Sequence, residues 1–497
     1  MRLALKRPAR RSASPYVILS VICTGIFIAA LDQTVIYGAL PDMMPDIRIT
    51  VLEIDRAAWI VTGYLLGYTI ALPLMGKVSD VYGHNRIYML SISIFMVGSI
   101  FAAVASNFSW MVGARVFQAI GGGAMVPVAM AIVGDIFPER SRVIALGIIG
   151  GVVEGGAALG PFYGAALAHY FDWRWIFWIN LPISLVALLL VYLLLEPSSR
   201  TKGKIDYIGG ILLTGGLALL SVALSYEWRQ QNYITYLVSF LVPALFLFAL
   251  FIFRESRASE PIIEFSMFRN MTFSSAVTTN FFVGGALIIA LVNVPLMSDT
   301  IMGCTALEGG LRLLRLTIMI SIGAVIGGFL CRISGYRPPT ILGLILSSVG
   351  FFFMSRWPLD IADPEMTLHL VICGLGFGLV IAPLSTAVID SVGEKRRGIA
   401  SSLVVMTRMI GMIVGLCILA SWGMSHFHGI TAEMSLTELM EYPETLINSL
   451  LAIFQDFFLA SVGICLAAIL PALWLKKRTK SASTGEPDSY STHAANR

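Results

Sequence analysis

Apolar residues fall into blocks of about 18 to 25 along the chain, divided by short polar or Gly- and Pro-containing stretches. A helix rising 1.5 Å per residue needs about 20 such residues to cross a hydrocarbon core roughly 30 Å thick. The blocks predict fourteen spanning helices, near 16–40, 57–75, 87–105, 110–134, 142–168, 175–195, 206–226, 233–253, 272–297, 312–331, 339–355, 367–389, 398–424 and 455–475. Alternation of period two is absent, which excludes a lipid-facing β-barrel and leaves an all-α membrane protein.

Composition agrees, with 57% hydrophobic and only 13% charged residues against roughly 25% charged in a soluble domain. The net charge of +4 conceals an asymmetry. With the amino terminus and every second loop counted on one side, that side holds 25 of the 34 Lys and Arg, and the loops of the other side hold five. Basic residues resist translocation, so the expectation is a multi-pass protein of the cell membrane with both termini cytoplasmic. The basic start, Arg2 to Arg11, precedes an apolar run too long for a signal-peptide core, so it reads as the flank of an uncleaved first span. The cysteines make no CxxC spacing, so neither a metal site nor a disulfide framework is expected.

Basic segments at 196–205 and 254–270 bracket two spans almost free of charge. Taken as an insert, this pair leaves six spans before it and six after, an arrangement by which transporters surround a midplane site. The expected division is a basic amino terminus (1–15), a first six-helix bundle (16–195), a linker with two extra spans (196–271) and a second six-helix bundle (272–475). An outer acidic loop at 425–454, with Glu433, Glu438, Glu441 and Glu444, should form a solvated cap with one short helix. The Ser-, Thr-, Pro- and Gly-rich tail (476–497) is expected to be disordered.

Several stretches carry more than hydropathy. The loop after span two holds Gly76, Asp80, Gly83, His84, Asn85 and Arg86; span four holds Arg115-Val116-Phe117-Gln118-Ala119-Ile120-Gly121 and closes at Asp135. Span five places Gly156, Gly160 and Gly164 on one face beside Pro161, a smooth stripe that lets helices approach closely. With Leu31-Asp32-Gln33-Thr34 and Asp172-Trp173-Arg174-Trp175-Ile176-Phe177-Trp178-Ile179-Asn180-Leu181-Pro182, these resemble the fourteen-span drug:proton antiporter family of the major facilitator superfamily over residues 16 to about 475.

The resemblance implies two six-helix bundles plus two additional central helices. It also implies a cytoplasmic latch in which Asp135 pairs with Arg86, an inward Arg115 near the proton pathway, and an antiporter motif at Gly156, Gly160, Pro161 and Gly164. His84 and Asn85 depart from the family pattern, as does Tyr37 where the family carries Asn. In the second half Gly328, Gly335 and Arg337 keep the latch spacing, but Arg332 and Ile333 occupy its acid and base positions, so that latch reads as degenerate. Arg315 replaces a Pro common in the family.

A charge at the bilayer centre costs at least about 2.5–3.5 kcal/mol, so each demands a partner, a watery cavity or a proton. Asp32 lies deep in span one and is expected to bind substrate or proton, the alternative being an acid that pins span one to a neighbour. Glu154, near the middle of span five beside glycines, is a second proton or cation site, with a structural hydrogen bond as its alternative. Arg115 either turns inward or snorkels outward. Arg408, mid-span in span thirteen, needs an anion or carbonyls and reads as helix-packing glue. Tyr37, Tyr64, Tyr68, Asn280 and Asn293 line a cavity or serve packing.

No Walker loop, HExxH or GxSxG context appears. The expected protein is therefore not an enzyme and needs no cofactor beyond the proton gradient. It is read as a monomeric proton-coupled exporter of amphipathic or cationic compounds, its partners being protons, a small molecule and the bilayer, without nucleic acid. The alternatives are an exporter of a metabolite, siderophore or lipid, and a non-transporting membrane sensor or scaffold.

Overall fold

A backbone in hydrocarbon must satisfy its own hydrogen bonds, and the computed structural model does so with helices. It describes residues 14–49, 54–195, 206–225, 232–258, 261–392, 397–431 and 443–476. In chain order the helices are α1 (Pro15–Asp46), α2 (Ile54–Tyr82), α3 (His84–Ala103), α4 (Phe108–Ile136), α5 (Glu139–Tyr170), α6 (Trp175–Leu194, interrupted at Ile179), α7 (Tyr207–Leu224) and α8 (Tyr233–Glu255). After a 3₁₀ turn (Phe265–Arg269) come α9 (Met271–Thr300), α10 (Ala306–Ser334), α11 (Arg337–Met354), α12 (Asp363–Asp390), α13 (Arg397–Thr431) and α14 (Pro443–Ala472). All fourteen are long and apolar enough to cross a membrane, one for each predicted span.

Local chemistry sets the helix ends. Asn107 and Asp206 accept the backbone N–H of Trp110 and Gly209 at the starts of α4 and α7, and Thr305 with Glu308 closes a capping box at α10, each satisfying donors that a helix start leaves orphaned. The expected cap at 425–454 is different: α13 continues to Thr431 and α14 begins at Pro443. Glu433, Glu438 and Glu441 lie outside the described residues, as do most of the basic amino terminus and the tail.

The first six helices pair as α1 with α5, α2 with α4 and α3 with α4, and the last six repeat this as α9 with α13, α10 with α12 and α11 with α12. These are two six-helix bundles, as the resemblance implies. Helix α7 rests on α2 and α13, while only 11% of the apolar stretch of α8 is buried, against 89% for α9. The extra pair is therefore a peripheral hairpin with α8 facing lipid, and α9 is central.

The repeat extends to single residues. Gly83 and Gly335 both have positive φ (100° and 84°), a conformation costly to any residue with a Cβ. Each is followed by a ring that reaches the last turn of a neighbouring helix. His84 Nδ1 lies 2.7 Å from Asp135 at the end of α4, and the Tyr336 hydroxyl donates to Asp390 at the end of α12 across 2.8 Å. The carboxy-terminal latch, degenerate by sequence, is thus rebuilt with tyrosine.

Candidate functional site

Glycines bring α1 and α5 together. A Cβ on Gly156 would lie 2.8 Å from the Phe27 carbonyl oxygen, one on Gly160 would lie 2.7 Å from that of Leu31, and one on Gly164 2.0 Å from that of Val35. The stripe is therefore a contact surface for α1, and it fixes the helix that carries Asp32. Thr34 strengthens the contact by donating to the Ala157 carbonyl at 2.8 Å.

Asp32 is 1% exposed and so is Arg115. Arg115 Nη1 donates to Asp32 Oδ2 at 2.6 Å, and its Nη2 to the Asp32 carbonyl at 3.0 Å. The outward, snorkelling alternative for Arg115 is excluded. The other carboxylate oxygen accepts Gln118 Nε2 at 3.0 Å and Asn180 Nδ2 at 2.9 Å, and Gln118 also donates to Ser99 Oγ at 2.8 Å. The guanidinium stacks 4.1 Å from the Tyr64 ring. Four helices of the first half, α1, α3, α4 and α6, meet in this network. Gln118, Asn180 and Ser99 carry no assigned role in the sequence reading, although Gln118 sits three residues after Arg115, on the same helical face.

Glu154 and Arg408 form the second charged centre, which joins the halves. Arg408 Nη2 lies 3.3 Å from Glu154 Oε1; the arginine side chain is 12% exposed and the glutamate 35%. Arg408 is therefore the counter-charge of Glu154 rather than packing glue alone, and Glu154 is only half-buried. Tyr64 and Tyr68 stack with centroids 6.1 Å apart, and Tyr68 lies within electrostatic reach of Arg408 and Glu154. This aromatic pair connects the two centres. Gln33, next to Asp32, donates to Met409 Sδ at 3.3 Å. Tyr37 is fully buried and its hydroxyl finds no partner among the described residues.

The remaining polar candidates serve structure. Asn280 donates to the Val404 carbonyl at 2.8 Å and Asn293 to its own helix at Ile289, 2.9 Å away. Arg315 is accounted for: it pairs with Asp363 at 2.5 Å and ties α10 to α12.

The latch departs from expectation. Asp135 meets His84, which also lies 3.0 Å from Asp80, while Arg86 is exposed. The imidazole thus bridges both acids at a position that departs from the family pattern. Lys77 donates to the Pro261 carbonyl, joining the same loop to the linker.

Contacts between the halves run from Glu154 towards the face opposite the latch. A Cβ on Gly310 would lie 2.4 Å from that of Ala165, Thr317 donates to the Ala158 carbonyl at 2.7 Å, and Thr62 approaches Cys417 at 4.0 Å. On the latch side of α5, by contrast, Cβ atoms on Gly147, Gly150, Gly151 and Gly155 would meet nothing within 4 Å. The halves thus touch on the side of Glu154 away from the latch, while the latch-side glycines of α5 border open space.

Two six-helix halves packed around buried charges are the architecture of a membrane transporter. Residues 22–416 match the model of the Major Facilitator Superfamily, and the chain belongs to that family, whose members are transporters rather than enzymes. It is 31% identical to a triacylglyceride transporter of Mycolicibacterium hassiacum over 96% of this chain and 95% of the relative. It is 32% identical to a probable triacylglyceride transporter of Mycobacterium leprae over 94% and 97%. Among solved structures it resembles a bacterial homolog of the human lysosomal transporter Spinster, inward-facing and unoccupied, with TM-score 0.68, 17% identity and coverage of 94% and 99%. The xylose transporter of E. coli aligns with TM-score 0.60 and 13% identity over 94% and 98%. The superfamily expectation holds; these curated relatives are named for lipid transport and not for drug:proton antiport.

Proposed function

We propose that this transporter carries a neutral, strongly apolar lipid of the triacylglyceride class across the cell membrane, in exchange for protons. The latch face would be cytoplasmic, and loading would take place through the open space beside the latch-side glycines of α5. The observation that carries the reading is near full-length similarity to relatives named triacylglyceride transporters. The site's chemistry supports it: both membrane acids, buried Asp32 and half-buried Glu154, already have arginine partners, so neither stands ready to select a cationic drug. The glycine-lined wall of α5 leaves room for bulky acyl chains.

Asp32 and Glu154 are the proposed proton-exchanging groups. Protonation of Glu154 would release Arg408 and loosen the contact between halves, and the Tyr64–Tyr68 stack would relay the charge state of one centre to the other. Latch residues Asp80, His84 and Asp135 would hold the opposite state, with Gly83 allowing the turn and Gly76 lying within α2.

Proteoliposomes with an imposed pH gradient test this directly, with a fluorescent triacylglyceride and a lipophilic cationic dye as competing cargoes. Gradient-dependent movement of the lipid, lost in Glu154→Gln, is expected. Movement of the dye alone would return the reading to drug efflux, and lipid movement indifferent to the gradient would remove proton exchange.

A further inference from the structure

The peripheral hairpin carries a feature that transport between the two halves does not use. Near the latch-side ends of α7 and α8 an open cleft of about 430 Å³ is walled by Ile208, Leu212, Leu250 and Phe253 and edged by Arg254 and Arg257. Its volume falls within the range of ligand clefts, about 300–1,000 Å³. Ile208 and Phe253 are each 53% exposed, on the helix pair that faces lipid.

The rim is cationic. Arg254 Nε donates to both carboxylate oxygens of Asp206, at 2.8 and 3.0 Å. That bond leaves its terminal amino groups outward, with the side chain 41% exposed. Burial pushes the Asp206 carboxyl up, but the Gly209 N–H and the Arg254 guanidinium outweigh it and hold the group below its ordinary range. Asp206 is therefore a standing anion that positions Arg254. Arg257 is exposed, its guanidinium 4.1 Å over the Phe253 ring, an arrangement that keeps a cation at an apolar edge. The other acid, Glu255, is 2% exposed, accepts the Ile263 N–H at 2.6 Å and lies beside Asp206 over Gly209, behind the two guanidiniums of the rim.

We propose that this cleft is a binding site for an anionic phospholipid of the surrounding leaflet, with an acyl chain between α7 and α8 and the phosphate on Arg254 and Arg257. An apolar trough ending in two guanidiniums at the membrane surface complements both parts of such a molecule, whereas a triacylglyceride offers the arginines neutral ester carbonyls and no anion. The bound lipid would anchor the hairpin to the leaflet while the two halves move.

The purified full-length transporter in mild detergent, titrated with phosphatidylglycerol, phosphatidylcholine or inorganic phosphate, provides the test, read by native mass spectrometry and thermal shift. Phosphatidylglycerol should be retained and raise the melting temperature, while phosphatidylcholine and phosphate should not. Arg257→Gln should weaken phosphatidylglycerol binding about fivefold, the contribution typical of one basic residue at an anionic lipid surface. Ala258→Trp, which fills the mouth and keeps both arginines, should weaken it as well. Equal retention of phosphatidylcholine, an equal effect of free phosphate, or wild-type binding by both variants would overturn the proposal. So would a protein dimer whose lipid content is unchanged by either variant.

Discussion

Arg408 Nη2 and Glu154 Oε1 lie 3.3 Å apart on helices from opposite halves of the molecule, so a single protonation can change the attraction between halves. Glu154 keeps 35% of its side chain exposed, and a pair so placed contributes only about 1 kcal/mol or less to stability. Glu154→Gln and Arg408→Gln should therefore melt within a few degrees of the parent yet abolish gradient-driven transport in proteoliposomes. Retained gradient dependence in either variant would detach the pair from coupling.

Asp32 and Arg115 predict the opposite balance. Both are buried and the carboxylate is fully hydrogen-bonded, so Asp32→Leu strands a guanidinium inside the first half. Breaking a buried pair in this way costs about 3–5 kcal/mol. The double variant Asp32→Leu/Arg115→Met removes both charges and should recover much of that loss. Thermal unfolding in detergent decides it, and a double variant no more stable than Asp32→Leu would show that the charges are not a unit.

The latch predicts a pH dependence. Histidine is the residue that changes charge between about pH 5 and 8. Protonated His84 attracts both Asp80 and Asp135, and neutral His84 keeps only hydrogen bonds, so the latch tightens as pH falls and loosens as it rises. His84→Arg should hold it tight throughout. Labelling a cysteine introduced at the latch face, followed against pH, should give a sigmoidal profile for the parent and a flat one for His84→Arg; parallel profiles would refute the role.

Close packing gives a steric prediction. A methyl group on Gly164 would meet the Val35 carbonyl oxygen at 2.0 Å, backbone that cannot swing aside, so Gly164→Ala should displace α1 from α5 and impair transport and folding together. Gly147→Ala, with nothing within 4 Å, is the matched control and should behave like the parent. A mild Gly164→Ala would mean that α1 shifts without penalty.

Much of this architecture was legible in the sequence because hydrocarbon imposes a length and a polarity on every span, and fourteen apolar blocks state both. Asp32, Arg115, Glu154 and Arg408 were legible as membrane charges, since each stands alone in an apolar block. Their pairing was not: Arg408 lies 254 residues from Glu154, and only the packing of the halves, α5 against α10 and α2 against α13, brings them together. The assignment of Asp135 to Arg86 failed because the positive φ of Gly83 turns the next residue, His84, into the contact. Gly335 does the same for Tyr336, a repeat that the replaced charges at Arg332 and Ile333 hide. The helical ends of α13 and α14 were missed because residues 425–454 are polar enough to read as loop, although helices can project beyond a bilayer.

The four deep charges, Asp32, Arg115, Glu154 and Arg408, sum to zero as two matched pairs. For the neutral cargo and the proton exchange proposed above, the loaded molecule would carry no charge through the transmembrane voltage, and each counter-moving proton would perform all of the electrical work, about 2.3 kcal/mol per 100 mV. Turnover of this kind is electrogenic: it draws on the membrane potential as well as on the proton concentration difference, and it can continue in a cell whose internal and external pH are equal.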